Sequence, residues 1–195
     1  MVWKYPVKIF VEGEADKKLI NDFLEAIFEI TTGIVIIPIG GKSKLDKTTQ
    51  EFEKTTDDKG VNLIIFDADD DFKKSSSDLL KKKKELSIDF QLFLFPNNQD
   101  NGTLENLLIN IINPKHQQIL DCFDSYTDCL KKRTNEDLNI PTLKSKVYAY
   151  LETLYPKSKQ DLIKDSKREY KNTEIWNLEC EYITPLKDFL SNHIH

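Results

Sequence analysis

Short apolar runs alternate with longer amphipathic stretches through the first half of the chain. Val7 to Val11 (VKIFV) has the length and composition of a buried strand. From Ala15 to Ile30, Leu19, Ile20, Phe23, Leu24, Ile27 and Ile30 recur at helical spacing and predict an amphipathic helix. Ile34 to Ile39 (IVIIPI) predicts a second strand, with Pro38 near its end, where a missing N–H matters least. Gly40-Gly41-Lys42 breaks the pattern, and only Leu45 and Phe52 anchor the polar segment that follows. Val61 to Phe66 (VNLIIF) predicts a third strand. Leu79, Leu80 and Leu86 then mark a short helix, for which Ser75 to Ser77 offer caps. Ile88 to Phe95 predicts a fourth strand, closed by Pro96 and the turn-forming NNQDNG, before helical spacing resumes from Leu104 to Ile112.

Strands separated by helices imply βαβ units and a parallel sheet. From Pro114 the pattern becomes wholly helical. Ile119, Leu120, Phe123, Tyr126, Cys129 and Leu130 mark one helix; Leu143, Val147, Tyr150, Leu151 and Leu154 mark another, stopped by Pro156. Ile175 to Leu190 supplies a last apolar segment with Trp176 and Phe189. The expected fold is α/β and Rossmann-like. Residues 1–112 form a mainly parallel four-stranded sheet flanked by helices, and residues 113–195 form a helical C-terminal extension packed on it.

Composition narrows the function classes. With 39% apolar residues and 11 Phe, the chain can bury a core and is not disordered. Its net charge of -5 repels polyanions, so contact with nucleic acid requires a local basic surface or metal ions. No apolar stretch approaches the ~20 residues of a membrane span, and MVWKYPVKIFVEGE lacks a signal-peptide core, which predicts a cytoplasmic protein without a membrane partner. Three cysteines read as reduced thiols. Cys122 and Cys129, seven apart on one helical face, are expected in apolar packing rather than around zinc. Trp176 and the tyrosines are expected in the core. His116, His193 and His195 lack the spacing of metal ligands.

Ligands of open parallel sheets bind beyond the carboxyl ends of the strands. Those ends carry Glu12-Gly13-Glu14, Gly40-Gly41-Lys42, Asp67-Ala68-Asp69-Asp70-Asp71, and a loop with Asp100 leading to Glu105. Carboxylates gathered at one edge repel one another unless a cation neutralises them, and magnesium suits hard oxygens with open positions. Helix dipoles alone explain Glu14 and Asp16. An EF-hand register over Asp67, Asp69 and Asp71 fails at Phe72, where glycine is required, and at Asp78, where a bidentate Glu is required. Gly41-Lys42-Ser43 lacks the earlier glycine of a P-loop, that position being Ile36.

Glu-Gly after strand one, GGK after strand two and DxD after strand three set this chain apart from receiver and haloacid-dehalogenase-like patterns. FVEGEAD (Phe10 to Asp16), GGK (Gly40 to Lys42) and IIFDADDD (Ile64 to Asp71) resemble the TOPRIM domain of topoisomerases, primases and OLD-type nucleases over about residues 5–112. LFPNNQDNGTLENLL and IWNLECEYITPLKDFL are similar to segments of small bacterial TOPRIM-like proteins of unknown function. No zinc ribbon, topoisomerase tyrosine region or ATPase domain is recognisable within these 195 residues.

The resemblance implies Mg²⁺ (or Mn²⁺) on Asp67 and Asp69, with Glu12 as further ligand or general base. Asp71, Asp100 and Glu105 are additional metal-ligand candidates, and Gly13, Gly41, Lys42 and Lys73 are candidates for phosphate contact. The implied activity is a metal-dependent nuclease or phosphotransfer domain acting on DNA or RNA. The alternatives are a non-enzymatic metal- or nucleic-acid-binding module serving a partner such as an ATPase, and a small-nucleotide phosphohydrolase.

Overall fold

Alternation within each strand decides the architecture. In the computed structural model, which describes residues 5–134 and 137–194, strands β1 (Val7–Val11), β2 (Ile34–Pro38), β3 (Val61–Asp67) and β4 (Gln91–Phe95) form one parallel sheet in the order β2-β1-β3-β4. Successive side chains point to opposite faces. Ile9, Val11, Leu63, Ile65, Phe93 and Phe95 feed one hydrophobic cluster, whereas Phe10, Ile64, Phe66 and Leu94 feed a second.

Helix α1 (Glu14–Phe28) covers the first face beside β1 and β2 through Leu19, Ile20, Phe23 and Leu24. A 3₁₀ segment (Lys42–Thr48), α2 (Thr49–Asp57) and α3 (Phe72–Glu85) cover the second face. There Phe52 of α2 stacks on Phe10 at 3.8 Å between ring centroids. Both rings are fully buried, each contributing about 2–3 kcal/mol. This split follows from right-handed crossovers, because the chain moves outward from β1 to β2 and back past β1 to β3 and β4.

Alone, α1 would leave the first face of β3 and β4 open. The rest of the chain fills that gap: α4 (Leu104–Asn110), α5 (Gln117–Lys131), α6 (Leu143–Leu154) and α7 (Thr184–Ser191) contribute to the first cluster. Trp176, Tyr150 and Tyr170 lie at its centre, as expected of core aromatics, whereas Tyr5 and Tyr126 are exposed against that expectation. Backbone bonds lock the loop of Trp176 to the end of α4, with Asn177 N–H donating to Ile111 O (2.6 Å) and Asn113 N–H to Ile175 O (2.8 Å). Tyr170 N–H donates to the buried Asp22 carboxylate of α1 at 2.8 Å.

Several local expectations are corrected. α3 begins at Phe72, three residues before Ser75, because the Asp71 carboxylate accepts from Lys74 N–H and caps it earlier. β4 starts at Gln91; Ile88 and Phe90 are buried without joining the strand. Cys122 and Cys129 are exposed, since α5 buries a face centred on Leu120 and Thr127 and leaves theirs outward. No helix among the described residues is long and apolar enough to cross a membrane.

Candidate functional site at the carboxyl edge of the sheet

β1 and β3 are neighbours, but the chain leaves them in opposite directions, to β2 and to β4. This is the topological switch point, where the following loops diverge and open a crevice. Glu12 follows β1 and Asp67 ends β3, so one acid stands on each side of it. The Glu12 carboxylate accepts from Asp67 N–H at 3.1 Å, which joins the two strand ends directly. Asp67 in turn accepts from Leu104 N–H, at the start of α4, at 2.8 Å.

Asp69 adopts the left-handed conformation (φ 56°), uncommon for a residue with a Cβ. The NNQDNG loop holds it there. Asp69 and Gly102 exchange two backbone bonds of 2.8 and 2.7 Å, while Asn101 donates to Asp70 O (2.7 Å) and accepts from Phe72 N–H (2.8 Å). The Asp69 carboxylate is exposed and ion-paired with Lys42, whose ammonium also donates to Ser75 Oγ at 3.2 Å. Gly41 has φ 104°, and a Cβ there would lie 3.8 Å from a Glu12 carboxylate oxygen. The GGK turn therefore brings backbone against the acid and Lys42 over it.

Burial raises the pKa of Glu12, with the Asp67 amide and Lys42 pulling it back and Asp69 raising it. Burial, then the charges of Asp16 and Glu12, push Asp67 up to about 8. Asp16 is pushed up to about 7, chiefly by burial, although it accepts from Gly13 N–H at 2.7 Å. Glu105 raises both Asp16 and Asp67. Four carboxyls thus press on one another across β1, β3 and two helix starts, and Lys42 is the cation acting on Glu12.

The other expected site residues fall into place around this centre or outside it. Gly13 caps α1, and half-buried Glu105 accepts from Thr103 Oγ1 at 2.8 Å. Asp71 is exposed and spent on capping α3. Asp100 is tied to Asn97 Nδ2 at 2.7 Å within its own turn. Lys73 is exposed on α3. Asp16, expected from sequence as a helix-dipole residue, is buried within the acidic group, which no local pattern marks. Asn101 and Gly102 had no chemical signal, because their role is to brace a loop thirty residues away.

Among the described residues, no three His, Cys, Asp or Glu side chains already stand together as a metal cage. His116 is bonded to Tyr150 Oη at 2.8 Å and His193 packs on Phe189, whereas His195 lies outside the described residues.

A solved structure, the C-terminal region of the Burkholderia pseudomallei OLD protein, is similar over 98% of this chain and 99% of that one, with a TM-score of 0.52 and 15% identity. At that identity the likeness establishes a shared fold, extending through the C-terminal helices. No curated protein matches the chain. The model of the family described as protein of unknown function (DUF3226) matches residues 6–195, and the chain belongs to that family.

Proposed function

We propose that this protein is a TOPRIM-type, Mg²⁺-dependent phosphodiester hydrolase acting on nucleic acid. The observation that carries the reading is the direct hydrogen bond between Glu12 and the start of the DxD loop at the switch point, with Lys42 paired to Asp69 beside it. The OLD-like fold supports it as analogy, since fold alone does not fix activity.

The donor set fits a hard divalent cation. Glu12, Asp67 and Asp69 supply only oxygens, and burial with mutual repulsion makes the carboxyls of Glu12, Asp67 and Asp16 costly to ionise without a neighbouring cation. Glu12, Asp67 and Asp69 would hold the ion, with Asp16 and Glu105 adjoining. When bound, it supplies Lewis acidity toward a phosphoryl oxygen and neutralises developing charge.

The chain's own groups do the rest. Glu12, half-buried and of raised pKa, accepts a proton from the attacking water. The water oxygen bonds to phosphorus as the P–O bond to the departing strand end breaks, and the departing oxygen takes a proton from solvent. Lys42, held by Ser75, presents its ammonium to a phosphate oxygen once Asp69 turns to other partners. Gly41, where a Cβ would lie 3.8 Å from a Glu12 oxygen, leaves that side of the acid open.

Incubation of supercoiled plasmid and of a single-stranded oligonucleotide with Mg²⁺ or Mn²⁺ tests the reading. Cutting that disappears in Asp67→Asn supports it. Protein inert toward both polymers with either ion, or equally active in Asp67→Asn, refutes it.

A further inference from the structure

Helix α3 starts at the acidic site and runs away from it, carrying six lysines against two acids in a protein of net charge -5. Helix stability does not explain this placement. Lys82, Lys83 and Lys84 in the last turn complement the helix dipole, but Lys73 and Lys74 stand in the first turn, where positive charge is unfavourable. About half of the described lysines elsewhere are ion-paired, as Lys8 is with Glu51, Lys146 with Asp124 and Lys171 with Glu25. On α3, Lys73, Lys74 and Lys84 have no ion-pair partner among the described residues. Lys81 has only a long, exposed contact of 3.5 Å with Glu85, of little energetic weight.

The lysines fall on two sides of the helix. Lys74 and Lys82 border a cavity of about 460 Å³ that reaches Lys42 and Asp69. On the other side Lys73, Lys81 and Lys84, with Ser77, Phe72 and the exposed Leu80, line an open groove of about 580 Å³ that contains no acidic side chain. Positive charge beside modest apolar surface suits a chain of phosphates with bases attached. α3 is about 20 Å long, the axial length of roughly six nucleotides of one strand.

We propose that the outer face of α3 is a track for a phosphodiester backbone, delivering a polynucleotide strand to the Glu12–Asp67 crevice. The track deepens the hydrolase reading and rests on it for its purpose, but it makes a separate physical claim. It requires a polymer as ligand, since a mononucleotide at the acidic site reaches neither Lys81 nor Lys84.

The test is fluorescence anisotropy with a labelled 20-nucleotide DNA strand and the RNA of the same sequence, in EDTA, from 50 to 200 mM NaCl. Wild type is compared with Lys81→Glu/Lys84→Glu and Lys81→Arg/Lys84→Arg, after matching their far-UV circular dichroism. Both lysines are exposed, so the fold tolerates the changes. The expected result is at least tenfold weaker binding for the Glu pair at 50 mM salt. The slope of log affinity against log salt should be shallower by about 1.4, two phosphate contacts' worth on a single strand, with the Arg pair like wild type. Tighter binding of one strand type identifies the sugar, and either supports the track.

Unchanged affinity and slope in the Glu pair, or no wild-type binding at 50 mM salt, overturns it. Binding lost in the Glu pair while no polymer is ever cut upholds the track and sinks the hydrolase. Cutting by the Glu pair with wild-type efficiency and salt dependence does the reverse.

Discussion

Replacing Asp67 by Asn removes an ionisable carboxyl from the sheet edge while keeping an oxygen to accept Leu104 N–H. Burial and the charges of Asp16 and Glu12 push the carboxyl up to about 8, against roughly 3.9 in an unfolded chain. Below about pH 4 the group is protonated in both states and costs nothing. Between about pH 4 and 8 the unfolded chain releases the proton while the folded chain keeps it, so stability falls as pH rises. Above about 8 the folded carboxyl ionises and the loss is complete. At about 1.36 kcal/mol per pKa unit, the loss is capped near 6 kcal/mol. Asp16 and Glu12 share the same repulsion and relax when one member is neutralised, so Asn recovers about 2–4 kcal/mol. In a chain of this size that is roughly 5–15 °C in Tm. Thermal and urea melts in EDTA at pH 4.5 and 8.5 provide the assay. Asp67→Asn should be clearly more stable than wild type at pH 8.5, and within about 1 kcal/mol of it at pH 4.5. A variant equal to or weaker than wild type at pH 8.5 refutes the claim that the site holds unbalanced charge at the expense of stability.

Three further outcomes follow from particular contacts. Gly102→Ala puts a Cβ 2.7 Å from Asn106 Oδ1 at a φ of +141°, so it should cost about 1–3 kcal/mol in urea melts and lower polymer cleavage by freeing the Asp69 loop. Trp176→Ala empties the centre of the larger core, where the ring is 1% exposed, and should cost about 3–5 kcal/mol by chemical denaturation. Folded protein treated with a thiol reagent should label rapidly at Cys122 and Cys129 and more slowly at the half-covered Cys180, as mass spectrometry of the peptides would read out.

The sheet was legible because each buried strand is a short apolar run ended by glycine, proline or acid, and the acids after β1 and β3 fall at the carboxyl edge where ligands of such sheets bind. Strand order was not written in any local pattern; it follows from which runs are apolar on both faces, and places Glu12 and Asp67 side by side at the switch point. Asp16 was hidden because a helix-start acid has an ordinary explanation, and only its burial beside Asp67 sets it apart. The exposure of Cys122 and Cys129 was misread because helical spacing reveals a shared face but not whether a neighbour covers it. Asn101 and Gly102 read as turn formers, and their bonds to Asp69, Asp70 and Phe72 depend on two loops meeting in space. In the helical half, the apolar spacing forecast α6 closely, yet it could not forecast that these helices complete the layer begun by α1.

Calorimetric titration of Mn²⁺ and Mg²⁺ into metal-free protein near neutral pH, repeated in buffers of different ionisation enthalpy, probes the shared-cation site most directly. Saturable binding should release protons, because Asp67 and Asp16 hold them without metal, and Asp67→Asn should abolish or greatly weaken it. Heats that never saturate, or binding of equal strength in Asp67→Asn, would contradict a cation bound between Glu12 and the DxD loop.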